Sequence, residues 1–327
     1  MSATILTPPA TPRRVRRGPS ADMLRLLMVL ALILAIIVVG AVVTDRFMRP
    51  ENFANVFEQA TDLALVALGQ SLTVLTGGID LSVGSMISLL SVLTSGLIDG
   101  NSAMVLPVCL GILAGGTLLG VLNGCGVVWL RVHPLIVTLG MGAILQGVAL
   151  LYTRAPIGSI PDGFDSLAYG RVAGISVGGA ATALIFVLVA AFLRYTNTGR
   201  TIYAVGDDSQ AARLLGMPVR RVILLVYGAS GFFAAVTAIY LVSRFGSGQP
   251  YAGADYTLAS VTPVVVGGIA LSGGRGSIFG TLLGAYLLAI LNDLLNFLHV
   301  PTQIQLVAEG LIIMAAVSIH VERGRRS

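Results

Sequence analysis

From Met23 to Val321 the chain is a succession of apolar runs long enough to cross a bilayer, interrupted by short clusters of glycine, proline and charge. Nothing else in it constrains the fold as strongly. A run of about 20 apolar residues spans the hydrocarbon core as a helix, because only then are its backbone N–H and C=O groups satisfied where water cannot reach. The runs lack the ten-residue alternation of a transmembrane barrel. The expected fold is therefore all-α, a polytopic membrane bundle. Of 327 residues, 55% are hydrophobic and only 11% charged, and the mean hydropathy is +0.90, far from the make-up of a water-soluble domain of this length.

Ten spans are predicted: Met23–Thr44, Ala60–Thr76, Leu81–Ile98, Ala103–Gly124, Leu135–Tyr152, Gly179–Tyr195, Val222–Val242, Tyr256–Leu271, Ser277–Leu298 and Gln303–Val321. Residues 1–22, rich in Pro, Thr, Ser and paired arginines, read as a disordered cytoplasmic tail. Residues 23–321 form the transmembrane domain, and 322–327 a cytoplasmic C-terminal tail. Phe53–Phe57 are expected at the interface, and Thr153–Gly178 as an external loop. With both termini inside, Arg46, Arg49, Arg154, Arg171 and Arg244 fall outside and the other fifteen of twenty basic residues fall inside, as short cytoplasmic loops require.

Two stretches break this pattern. Gly77-Gly78-Ile79-Asp80-Leu81-Ser82-Val83-Gly84 separates the second and third spans, and Gly267-Gly268-Ile269-Ala270-Leu271-Ser272-Gly273-Gly274 follows the eighth. They differ only at their fourth and seventh places. Paired breaks in two parts of a hydrophobic chain point to a transport path between structural repeats. Backbone that leaves helical geometry at membrane depth must be covered by protein or line a water-filled interior. The predicted path residues are Gly77, Gly78, Asp80, Ser82, Gly84, Gly267, Gly268, Ser272 and Gly274. A cytoplasmic turn in which Asp80 caps the next helix is the other reading of the first break. In the fourth span Gly111, Gly115, Gly116, Gly120 and Gly124 make a small-residue face suited to close helix packing.

All twenty basic residues are arginine. Without lysine there is no Walker A motif, so ATP chemistry that drives this chain belongs to a partner. Cys109 and Cys125 sit in apolar runs as small hydrophobes, and His133, His299 and His320 are scattered at span boundaries without metal-ligand spacing. The net charge of +5 reflects loops and flanks of spans rather than nucleic-acid binding.

Residues 196–221 form the longest charged insertion. The reading is a strand-like approach, a turn, and a short helix capped by Asp207, Asp208 or Ser209 and stopped by Gly216 and Pro218. So short a helix must dock on its own bundle or on a partner.

The two glycine breaks, Pro134-Leu135-Ile136-Val137-Thr138-Leu139-Gly140, and the Gly206–Gly216 loop occur in an order that resembles the permease subunits of bacterial ABC importers for simple sugars, of the ribose, xylose and galactose type. The resemblance spans roughly residues 25 to 320. It implies a multi-pass protein of the bacterial inner membrane, and a second permease copy or related chain beside it. It also implies a separate ATPase that binds ATP and Mg, and a periplasmic sugar-binding protein. It further implies a chain that is not an enzyme and holds no cofactor of its own. The family's coupling helix falls on Gly206, Asp208, Ala211, Ala212, Arg213 and Gly216. Asp208 stands where the family usually has Asn, and Thr257 and Thr262-Pro263 depart from its usual Glu and Ala-Ala. Pro263 is expected to kink the eighth span. A second function class stays open from the residues alone: an ion-coupled secondary transporter of a small polar solute using Asp80 or Glu309.

Overall fold

The computed structural model describes residues 21–305 apart from Ala173, and 307, 308, 310–312 and 314 beyond them. Most of both expected tails and Glu309 lie outside the described residues. The helices in order are α1 (Ala21–Val43), α2 (Pro50–Leu75), α3 (Val83–Ile98), α4 (Val105–Trp129), α5 (Pro134–Tyr152), the short α6 (Ser166–Tyr169), α7 (Val177–Tyr195), α8 (Asn197–Asp207), α9 (Ser209–Leu214), α10 (Val219–Phe245), α11 (Tyr256–Ala259), α12 (Val261–Val266) and α13 (Ile278–Phe297). Between α6 and α7 lies a two-stranded ribbon, β1 (Arg171–Val172) paired antiparallel with β2 (Ile175–Ser176). By length and composition α1, α4, α5, α7, α10 and α13 can each cross a membrane, while α3 and the α11–α12 segment are apolar but shorter. The chain is a multi-pass membrane protein.

The bundle is organised around α10, which packs on α4, α2 and α3, and around α13, which packs on α2, α12 and α1. The α4–α10 contact is close because of glycine. A Cβ at Gly116 or Gly120 would strike the backbone of Gly231 or Tyr227 on α10, whereas Gly111 and Gly115 have open space beside them. Only the inner part of the expected glycine face meets a helix. The reciprocal Gly231 on α10 completes the contact.

Three expectations need correction. The second helix does not begin at Ala60 but ten residues earlier, and it takes in Phe53–Phe57. Pro50 and Glu51 open one continuous helix, where proline loses no hydrogen bond and a carboxylate meets the positive helix end. The eighth span, Tyr256–Leu271, is instead α11 and α12, about 16 Å of helix at 1.5 Å per residue. Pro263 has no N–H to donate to Ala259 O and stands three residues after the interruption at Ser260 that divides the segment into α11 and α12, as the expected kink requires, and Gly267 and Gly268 end the helix soon after. The strand-like approach at 198–205 is the helix α8, capped by Thr196, whose Oγ1 accepts from the N–H of Gly199 at 3.0 Å. Gly199, Ile202 and Val205 recur at helical spacing and are its buried face.

The expected outer loop is not free chain. Ile157 and Gly248 exchange backbone hydrogen bonds of 2.9 and 3.0 Å, and the N–H of Ala168 donates to Ser243 Oγ at 3.1 Å. Arg171 pairs with Glu58 of α2 at 3.0 Å, so this arginine finds its acid within the chain.

Candidate translocation and coupling site

Both glycine breaks end a helix in the same way. After α2, the N–H of Gly78 donates to Thr73 O and that of Gly77 to Val74 O, with Gly77 at φ +79°. After α12, the N–H of Ile269 donates to Val264 O and that of Gly268 to Val265 O, with Gly268 at φ +92°. These are paired 6→1 and 5→2 bonds around a left-handed residue. The repeated sequence is offset by one in structure: the first glycine of the pair turns at one break, the second at the other.

Beyond the caps the two segments differ. At the first, Asp80 is fully buried and its carboxylate is enclosed by donors: Ser82 Oγ at 2.6 Å, Ser82 N–H at 3.1 Å, Ser230 Oγ at 2.9 Å and Asn123 Nδ2 at 3.4 Å. Asn123 also donates to Ser82 Oγ at 2.7 Å. Asp80 does not cap α3; it ties the break to α4 and α10. Ser230 lies eleven residues into α10, about 16 Å along its axis, so the carboxylate reaches well inside the bundle. The Tyr227 hydroxyl is buried beside Gly78. At the second break Ala270 stands in place of Asp80, and backbone closes the turn: Ala270 N–H donates to Arg275 O at 3.1 Å and Gly273 N–H to Ala270 O at 2.9 Å.

The two breaks meet. Gly274 N–H donates to Leu75 O at 2.9 Å, and Ser272 O lies against Gly77. Into the same spot comes Gly206, near the end of α8. A Cβ there would occupy the space of Leu75 O and Gly274 N, and one at Gly273 would press on Gly206. Asp207 and Arg275 add an exposed pair at 3.9 Å, which water screens. The expected path residues thus separate. Gly77, Ser272 and Gly274 form this junction with Gly206; Asp80 and Ser82 are enclosed above it; Gly84 lies against Gly253 and Thr257; Gly267 packs on Gly280 of α13.

The helix α9 follows at once. Asp208 Oδ1 accepts from the N–H of Gln210 at 2.8 Å and of Ala211 at 3.0 Å. Gly216, at φ +75°, ends the helix with bonds from its own N–H to Arg213 O and from Met217 N–H to Ala212 O. Ala212 is buried in the main hydrophobic cluster with Ile202, Val205 and Val219, while Ala211 and Arg213 face outward. Leu214 is 89% and Leu215 76% exposed. Sequence reasoning missed these leucines, because an apolar pair beside a short helix reads as its anchor. It also missed Asn123 and Ser230, which nothing local connects to Asp80. A third omission lies at the other end of α10, where Arg244 Nη1 donates to Asp62 Oδ2 at 2.6 Å. Among the described residues no group of three His, Cys, Asp or Glu side chains is placed to hold a metal ion.

Residues 52–317 match the family described as the permease component of a branched-chain amino acid transport system. The chain belongs to this permease family. The ribose import permease of Bacillus subtilis is 37% identical over 285 residues, 86% of this chain and 88% of the relative. The D-allose transport system permease of Escherichia coli is 33% identical over 89% of each chain. The autoinducer 2 import permease of Salmonella typhi is 32% identical over 88% of this chain and 83% of the relative. No solved structure matches. The permease match lends no support to the ion-coupled alternative, and the enclosure of Asp80 gives that carboxylate no opening to solvent.

Proposed function

We propose that this permease is the membrane subunit of an ATP-binding-cassette importer in a bacterial inner membrane, passing a simple sugar delivered by a periplasmic binding protein. The observation that carries this reading is the junction of Gly206 with both glycine breaks, two residues before the cap of an exposed, leucine-bearing helix. A separate ATPase engages α9 through Arg213, Leu214 and Leu215. Burying each of these leucines is worth about 1.5 to 3 kcal/mol to a complex. Ala212 holds α9 to the bundle, so movement of the ATPase displaces α8 as well. With no room for even a Cβ between Gly206 and the backbone of the two breaks, that displacement is passed to Gly77 and Gly274 together.

Sugar rather than amino acid is favoured by the relatives' names, which read ribose and D-allose, against the family description. The arginine distribution supports both termini and the 196–221 insertion on the cytoplasmic side. A second copy or related chain completes the complex. ATP and Mg bind to the ATPase, and this chain needs no cofactor of its own. Solute passes the polar break near Asp80 and Ser82 when the breaks open.

The test is co-purification in mild detergent followed by mass spectrometry of the retained proteins. The intact chain should retain an ATPase, and Arg213→Glu should lose it while inserting normally. An ATPase bound equally by both forms would remove α9 from the interface.

A further inference from the structure

A cavity of about 290 Å³ lies between α2, α11, α13 and the residues after Val300. Unlike a lipid-facing groove it is lined mainly by polar side chains, among them Gln59, Asp62, Arg244, Tyr256, Asn292 and Gln305. The Asp62–Arg244 pair forms part of its wall. It lies at the end of α10 opposite α9, next to the 246–255 link, and so on the outer side in the proposed orientation.

We propose that this cavity is a receiving site for a neutral, hydroxyl-rich solute on the outer side of the permease. The inference rests on the importer reading above and adds the solute-contacting side chains to it.

Three features of the lining point to that ligand. Three charged side chains line it: Asp62 and part-buried Arg244, paired at 2.6 Å, neutralise each other, and Asp255 is exposed where water screens it, so the lining offers no unpaired buried charge to an ion or a zwitterion. The pair still offers hydrogen bonds, since its contact with Asp62 uses one of Arg244's five N–H groups. Gln305 spends its amide N–H groups on Asn296 Oδ1 and Val300 O, both at 2.8 Å, which turns its remaining capacity to accepting. Donors and acceptors therefore face the cavity together, as vicinal hydroxyls demand. Tyr256, Leu63, Ala259 and Ala289 supply apolar surface for a C–H face. The volume is near the lower limit for small-molecule sites, about 300 Å³, suited to a monosaccharide.

Ala259 lines the cavity without belonging to the ion pair, so it is the position to alter. In proteoliposomes holding permease, ATPase and binding protein, Ala259→Trp should cut uptake of D-ribose, D-allose, D-xylose or D-galactose, whichever the intact complex carries, by roughly tenfold or more. Ala259→Ser should transport normally, and both variants should keep the ATPase. Normal uptake by Ala259→Trp would overturn the site while leaving the importer reading intact; an intact complex that carries none of the four sugars would overturn both. A second measurement does not depend on transport. With Cys109 and Cys125 replaced by alanine, Ala259→Cys should react with a water-soluble maleimide from outside. A transported sugar should slow that reaction by roughly threefold or more, as occupancy of the site requires, and L-leucine should leave it unchanged. A cysteine that never reacts, or that no sugar protects, would overturn the proposal.

Discussion

The two glycine breaks carry nearly the same eight residues, yet one is held by side chains and the other by backbone. At the first, Asp80 gathers Ser82, Asn123 and Ser230 from three parts of the chain. At the second, Ala270 contributes only its backbone, and left-handed glycines at Gly273, Gly274 and Gly276 fold the segment back on itself. A side-chain cluster ties its break rigidly to α4 and α10. A backbone turn capped by glycines has few such ties, while both breaks meet Gly206 of α8, one through Leu75 O and the other through Gly274 N. The difference points to a division of labour: both breaks meet Gly206, but the first, tied to α4 and α10, yields less, and the second moves further when α9 is pulled.

The severest way to test that division is to separate α8 from both breaks at once. Gly206→Val places a branched side chain where Leu75 O and Gly274 N already lie, and neither backbone group can yield without losing their mutual hydrogen bond. Overpacking at backbone is expected to cost about 3 kcal/mol or more. Uptake should fall to background, and coupling should fail before folding does: ATPase bound to the variant complex should hydrolyse ATP without transporting sugar. Normal uptake would show that the junction does not transmit movement.

The next comparison is between Asp80 and Ala270. Asp80→Ala strands three buried donors, each costing roughly 1 to 3 kcal/mol when left without an acceptor. Thermal unfolding in detergent should therefore show a loss of several kcal/mol, with Asp80→Asn recovering part of it. Ala270→Asp should be far milder, because Ala270 is only half-buried and its backbone bond to Arg275 persists. Equal losses at the two positions would end the distinction between an anchored and a backbone-held break.

How much of this was legible beforehand follows from the range of each interaction. The cap at Asp208 and the stop at Gly216 depend on neighbours two to five residues away, and the sequence pattern located both. The breaks themselves were visible because glycine, proline and charge interrupt apolar runs. What decides their difference was not visible. Asn123 and Ser230 lie 43 and 150 residues from Asp80, and Arg244 lies 182 from Asp62. The one-residue offset between Gly77 and Gly268 was hidden by their similarity, since either glycine of a pair can adopt the left-handed conformation. The helix α8 was misread because the spacing of three between Gly199, Ile202 and Val205 becomes meaningful only once burial marks them as one face.

On the outward face of the coupling segment, Leu214→Asp and Leu215→Asp should each abolish retention of the ATPase. Because these side chains touch little of their own bundle, they should change permease stability by no more than about 0.5 kcal/mol. A large loss of stability would mean that they anchor α9 rather than display it.

The smallest effect is expected at Arg275, although it stands within the second break and beside the junction. Its pairing with Asp207 is at 3.9 Å between two largely exposed side chains, where solvent and salt screen the attraction and ordering two long side chains offsets it. What the break takes from Arg275 is its carbonyl, which accepts from Ala270 and is supplied by any residue at that position. Arg275→Gln should therefore leave uptake and stability within measurement error at physiological ionic strength. Should it instead uncouple ATP hydrolysis from transport as Gly206→Val does, the second break would depend on a side chain after all. The backbone-held character that separates it from the Asp80 break would then be wrong.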